Sequence, residues 1–218
     1  MLDKAQIINR YKSVIFDFDG VILDSNNVKK NAIGESVEGV LNKDETVEFV
    51  NYFTRFNGVP REEKIARHVP ENEYENVLNR YEAIINKKLR DATMIPGVQS
   101  FIQELSNNDK DMIVLSGGTE SEVKELLDNR GLVDYFSGVF GGPKNKEENL
   151  VKVNLQGPVI YFGDSEVDYN VANKHKFDFV FVYGATNIEN WEEKTSPWNI
   201  VGAIKDFNNE VINDKSRD

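Results

Sequence analysis

Apolar positions along this chain come in short continuous runs separated by amphipathic stretches. Ser13–Phe18 (SVIFDF), Met112–Ser116 (MIVLS), Ser137–Phe140 (SGVF), Val159–Phe162 (VIYF) and Phe179–Tyr183 (FVFVY) have strand length and little alternation. Such runs are what strands buried on both faces require. Between them apolar residues recur at helical spacing, as in Val98, Phe101, Ile102 and Leu105, and in Val123, Leu126 and Leu127 ahead of Gly131. Strands alternating with helices predict an α/β fold with a Rossmann-like, doubly wound parallel sheet.

One interval breaks the rhythm. No strand pattern occurs from about Ser25 to Thr93. Val28, Ala32, Val37, Val40 and Leu41 mark one helix there, and Tyr74, Val77, Leu78, Tyr81, Ile84, Ile85 and Leu89 mark a long amphipathic one. Asn57-Gly58-Val59-Pro60 is a turn signal between shorter helical pieces. Helical sequence inserted directly after the first strand is expected to form a cap. The reading is therefore an α/β core of residues 1–24 and 94–218 and an α-helical cap domain of residues 25–93. The segment TSPWNIVGAIKDF supplies a final core element.

Composition narrows the chemistry. The 218 residues include no cysteine and two histidines, His68 and His175, which read as surface residues. Disulfides, thiolate nucleophiles, Cys-ligated zinc and histidine-based triads are excluded or disfavoured. A net charge of −11 argues against a nucleic-acid partner, because phosphate backbones demand clustered Lys and Arg. The start, Met1–Asn9, is polar, and no apolar run of about 18 residues occurs. The expectation is a cytoplasmic protein, monomer or homodimer, with no membrane partner.

In open α/β sheets ligands bind beyond the carboxyl ends of the strands. The polar residues there are Asp17 and Asp19 (FDFDGVILDS), Ser116-Gly117-Gly118, the lysines Lys144 and Lys146 after Phe140, and Asp164 with Asp168 four residues on. Asp17 and Asp19 repel unless a cation or proton separates them. Converging carboxylates with few histidines suit a hard, oxygen-preferring cation, most plausibly Mg²⁺. The Ser116 hydroxyl and the N–H groups beside Gly117 can cradle an anion, and Lys146, at the start of a helical stretch, can neutralise phosphate charge. Asp24 reads as a helix cap, and Asp168 has capping as its bland alternative.

DFDGVILDS, LSGGT, K-x-E-x-L and GDSEVD follow the order of the four motifs of haloacid-dehalogenase-like phosphatases. The position of the insert resembles the helical cap of their phosphoglycolate phosphatase and β-phosphoglucomutase branch. The K-P-x-P form usual in that branch is missing, and K-x-E-x-L selects Lys146 over Lys144. The resemblance implies Asp17 as the nucleophile that becomes an aspartyl-phosphate and Asp19 as general acid and base. It implies Ser116 and Gly117 as phosphoryl binders and Lys146 as the stabiliser of nucleophile and phosphate. Mg²⁺ would be held by Asp17, the main-chain carbonyl of Asp19 and Asp164, with Asp168 supporting the metal or Lys146. FNGVPREEK is similar to a substrate-reading segment of the β-phosphoglucomutase cap and makes Arg61 a substrate-binding candidate. Its bland alternative is a solvated helix-start arginine.

The leading expectation is a Mg²⁺-dependent phosphatase acting on a small phosphorylated metabolite, a sugar phosphate or phosphoglycolate-like ester. A phosphosugar mutase uses the same aspartates. A non-catalytic binding protein on this fold is the alternative of another class, and retention of Asp17, Asp19 and Asp164 weighs against it.

Overall fold

The computed structural model of the protein describes residues 3–151 and 153–208. Residues 209–218, included in the expected core, lie outside the described part. Helix α1 (Lys4–Arg10) is started by a capping box between Asp3 and Gln6 and leads into β1 (Ser13–Phe16). Then come four helices, α2 (Asn26–Ser36), α3 (Lys43–Arg55), α4 (Arg61–His68) and α5 (Tyr74–Lys88). The alternating part follows: α6 (Val98–Asn107), β2 (Asp111–Thr119), α7 (Glu120–Asp128), β3 (Gly138–Gly142), α8 (Lys146–Leu150), β4 (Val159–Gly163), α9 (Glu166–His175), β5 (Asp178–Val182), α10 (Trp191–Thr195) and β6 (Gly202–Ile204).

All six strands are parallel, in the order β3-β2-β1-β4-β5-β6. Strand β1 is central, paired on both sides, with Phe16 level with Val114 of β2 and Phe162 of β4. The connections reverse direction at β1, so the carboxyl ends of β1, β2 and β4 meet at the switch point where such sheets bind ligands. The four-helix segment leaves and re-enters at this edge. Its two connecting strands hold each other: Asp24 N–H donates to the Thr93 carbonyl at 2.9 Å, and Ile95 N–H to Ile22 at 2.9 Å.

Phe16 anchors the core below the site. Its ring stacks on Phe162 at 5.3 Å and meets Phe101 and Phe136 edge-on at 6.3 and 6.2 Å, with Phe207 at 6.1 Å. The segment TSPWNIVGAIKDF contributes the edge strand β6 and Phe207.

Three elements differ from the sequence pattern. The polar start forms α1, whose single buried residue is Ile7. The apolar series through Leu41 is two elements: α2 stops at Ser36, Gly39 takes φ +78°, and Asn42 opens α3 with a capping box to Glu45. A glycine in the left-handed region followed by a strong N-cap outweighs the apolar spacing. Strand β1 ends at Phe16, so Asp17 and Phe18 belong to the exit loop. Among the described residues no helix is long and apolar enough to cross a membrane.

Phe16→Ala should lower unfolding free energy by about 3–5 kcal/mol, since the four surrounding rings cannot close the space. Chemical denaturation measures it; a loss below about 1 kcal/mol would mean that the rings repack freely.

Candidate active site

The exit from β1 is built by Gly20. Its φ of +78° lets the chain double back, with Gly20 N–H donating to the Leu23 carbonyl at 2.8 Å. A Cβ at this position would lie 2.2 Å from Asp164 Oδ2 and 2.5 Å from Asn26 Nδ2, so only glycine lets the loop lie against β4's end. Asp17 continues the ladder through its N–H to Phe162 at 2.9 Å. Asp17 and Asp19 are both buried.

Two short helices aim the other charges. An Asn145–Glu148 capping box starts α8 and directs Lys146, at its first position, inward. Lys146 is 1% exposed and its Nζ donates to Asp17 Oδ1 at 2.7 Å and Asp168 Oδ1 at 2.5 Å, with Tyr161 Oη at 3.3 Å. Lys144 is exposed. A Ser165–Asp168 capping box starts α9, so Asp168 both caps and reaches the site. Its Oδ1 also accepts from Tyr161 Oη at 2.7 Å, and its Oδ2 from Ser165 Oγ at 2.6 Å. Lys146 thus links Asp168 to Asp17.

The balance of charge is negative. Carboxylate oxygens of Asp17, Asp164 and Asp168 lie within 4.8 Å of one another against one ammonium group. Burial, then the charge of Asp168, pushes Asp17 up to about 7. Burial, then the charges of Asp17 and Asp168, holds Asp164 well above the ordinary carboxylate range. Lys146 moves the other way: burial opposes its charge, but Asp168 and Asp17 outweigh that and raise it. Asp164 Oδ2 accepts from Asn26 Nδ2 at 2.6 Å, whereas Oδ1 is buried with no hydrogen-bond partner. An orphaned carboxylate oxygen beside a second crowded carboxylate fits a divalent, oxygen-preferring cation such as Mg²⁺.

Asp19 belongs to a second cluster. Its Oδ2 accepts from Lys29 Nζ at 2.6 Å and its Oδ1 from Ser25 Oγ at 2.5 Å. Burial opposes ionisation, but the charge of Lys29 and the bonds from Lys29 and Ser25 prevail, and Asp19 stays below its ordinary value. Its side chain is therefore committed to these partners. Ser116 is fully buried within β2, where the register with β3 shifts after Leu115, and its Oγ accepts from Gly118 N–H at 3.0 Å and keeps its own proton to donate.

The helical insert touches this edge directly. A Cβ on Gly117 would lie 2.9 Å from the Gly58 carbonyl, and one on Gly58 would lie 2.8 Å from Val167 and 3.2 Å from Lys146 Cε. Asn57 Nδ2 donates to Asn26 Oδ1 at 2.6 Å, extending the chain of amides that ends on Asp164. Arg61 is 4% exposed and is not a solvated residue. Its Nη2 lies 2.7 Å from both carboxylate oxygens of Glu122 on α7, across the boundary between insert and core.

Several of these partners carried no role in the sequence reading. Asn26, Lys29, Glu122 and Tyr161 belong to no motif that the chain displays. Ser25, rather than Asp24, is the N-cap residue of α2, and its hydroxyl serves Asp19 instead of the helix. His68 is half-buried between Phe49 and Tyr52, with ring centroids 5.1 and 4.1 Å away, and His175 pairs with Glu147 at 2.8 Å.

The Arg61–Glu122 pair should behave as a fastening between insert and core. Arg61→Ala or Glu122→Ala leaves the other charge buried and should cost about 3 kcal/mol of stability. A double-mutant cycle by chemical denaturation should show coupling of about 1 kcal/mol or more. Additive effects would mean that the two charges do not support each other.

Comparison with known proteins agrees with this geometry. No curated protein matches the chain. Its fold is that of a predicted phosphatase from Clostridium acetobutylicum (TM-score 0.71, 18% identity, 89% of this chain and 94% of that one). It is also that of a predicted phosphoglycolate phosphatase from Haemophilus somnus (0.68, 18%, 90% and 95%) and of a hydrolase from Pseudomonas syringae (0.71, 14%, 90% and 94%). The model of the haloacid dehalogenase-like hydrolase family matches residues 14–182, which span β1 to β5 and the ends of β1, β2 and β4. This chain belongs to the haloacid dehalogenase-like hydrolases.

Proposed function

We propose that this hydrolase is a Mg²⁺-dependent phosphatase that cleaves a small phosphorylated metabolite through an aspartyl-phosphate on Asp17. The observation that carries the reading is the Lys146 bridge, which ties Asp17 Oδ1 to Asp168 and leaves Oδ2 as the attacking oxygen. Attack of Oδ2 on phosphorus forms the acyl phosphate as the bond to the leaving oxygen breaks, and Asp19 protonates that oxygen. Water, deprotonated by Asp19, then attacks phosphorus and releases phosphate and Asp17.

Asp17, Asp164 and the main-chain carbonyl of Asp19 would hold Mg²⁺, which when bound supplies positive charge for the phosphoryl oxygens. Ser116 Oγ–H and the Gly117 N–H would orient the phosphoryl group. The substrate must loosen the Lys29–Asp19 pair before Asp19 can take up a proton, because Lys29 favours the anion. Residues 25–93 serve as the cap: closure on Gly117 keeps bulk water from the acyl phosphate. Phosphatase is favoured over phosphosugar mutase because Arg61, the residue matching the mutase-like segment, is already taken by Glu122. A charge of −11 disfavours polyanionic substrates such as nucleic acid.

Phosphate release from p-nitrophenyl phosphate and a metabolite panel should be abolished by EDTA and restored by Mg²⁺. Asp17→Asn should lower kcat by about 10³-fold or more, as loss of a nucleophile does elsewhere. Undiminished turnover after chelation would remove the metal from the account, and an active Asp17→Asn protein would remove the covalent route.

A further inference from the structure

Asp164, the carboxylate with an orphaned oxygen, is held from two different parts of the chain. Its main chain is held by the core: the Asp164 carbonyl accepts from Thr186 Oγ1 at 2.6 Å, in the loop after β5. Its carboxylate is held from the insert. Among the described residues its one hydrogen bond runs from Asn26 Nδ2 to Oδ2, at 2.6 Å. Asn26 is the first residue of α2 and is 2% exposed.

Every polar atom of the Asn26 side chain is engaged. Nδ2 donates to Asp164 Oδ2 and to the Ala185 carbonyl at 2.7 Å, and Oδ1 accepts from Asn57 Nδ2 at 2.6 Å. None of these bonds serves its own helix, so the side chain is not a cap. The amide fits one way round. Turned over, it would set Oδ1 against a carboxylate and a carbonyl, and Nδ2 against the Asn57 amide group. Asn57, in the turn after α3, therefore fixes the direction of the amide, and the amide fixes which oxygen of Asp164 stays free. Gly20 makes room for this contact, since a Cβ there would lie 2.5 Å from Asn26 Nδ2 and 2.2 Å from Asp164 Oδ2.

The same turn of α2 reaches the acid/base. Ser25 Oγ donates to Asp19 Oδ1 at 2.5 Å and Lys29 Nζ to Asp19 Oδ2 at 2.6 Å. One helix start thus lies against both Asp19 and Asp164, and a movement of the insert changes both together. We propose that Asn26 is a positioning residue for the metal site, so that Mg²⁺ affinity depends on the insert being closed. Engaging Oδ2 leaves Oδ1 as the oxygen able to take the cation, and a group that orients a metal ligand in this way sets affinity as well as geometry. Linkage makes the dependence mutual: a cation that binds better to the closed form must favour closure. This inference rests on the Mg²⁺ reading above.

Mg²⁺ titration of the full chain by calorimetry, with Mn²⁺ binding followed by electron paramagnetic resonance, tests it without turnover. Asn26→Ala should weaken both cations about tenfold or more, the usual effect of removing such a partner. Asn57→Ala removes no contact to a carboxylate of the site, yet should weaken them about threefold, as loss of one hydrogen bond allows. Asn57→Asp separates orientation from charge. Its added negative charge alone would tighten cation binding, whereas an acceptor facing Asn26 Oδ1 disturbs the amide and should weaken it. Asn57 is half-buried, so its variants should melt close to wild type even if Asn26→Ala does not fold. Hydrogen exchange at the start of α2 should slow on addition of Mg²⁺ in wild type and not in Asn26→Ala. Unchanged affinity in the alanine variants, or equal or tighter binding by Asn57→Asp, would overturn the inference and leave the metal assignment standing. Failure of wild type to bind either cation would overturn the metal assignment itself, and the inference with it.

Discussion

The ammonium group of Lys146 is the contact on which this architecture turns. Three carboxylates converge at the end of β1, and only one of the charges among them is positive and fixed by the chain. Without Lys146, Asp17 and Asp168 would face each other buried and unbalanced, at a cost of several kcal/mol. With it, the exit of β1, the start of α8 and the start of α9 are fastened to one point. The short helix α8 exists to deliver that lysine: its capping box sets the first turn, and Lys146 occupies the first position. The residual negative charge is what a cation would meet, and Asp164 Oδ1 is the atom left without a partner.

Closure of the insert is the second constraint. Its contacts are made where side chains are smallest, backbone against backbone at Gly58 and Gly117. Around that point the fastenings are polar and directional, Asn26 to Asp164 and Arg61 to Glu122. Polar fastenings can be exchanged for water when a lid opens, whereas a continuous apolar interface would resist. Lys64 sits inside the closed space, where its ammonium group donates to the Phe53 and Phe56 carbonyls.

Strands and their order of appearance were legible because buried parallel strands write themselves as unbroken apolar runs. The site residues Asp17, Asp19, Ser116, Lys146, Asp164 and Asp168 were legible because they fall at the ends of those runs and in motif order. Lys29 and Glu122 were not, because each sits on an ordinary polar helix surface, and only folding brings them onto Asp19 and Arg61. Arg61 showed as an anion reader by resemblance, yet its partner lies 61 residues away on α7. The edge strand β6 is three residues long, too short to carry a periodic signal. The break between α2 and α3 depends on one glycine and one N-cap, local signals that the apolar spacing ran across.

The central claim is that Asp17 takes the phosphoryl group while Asp164 faces the cation. Crystallography of the protein with Mg²⁺ and beryllium fluoride, which imitates a phosphoryl group on a carboxylate, tests both parts at once. The account predicts beryllium bonded to Asp17 Oδ2, Lys146 still on Oδ1, and a metal ion within bonding distance of Asp164 Oδ1. A fluoride complex bound away from Asp17, or a metal ion that leaves Asp164 Oδ1 untouched, would contradict it.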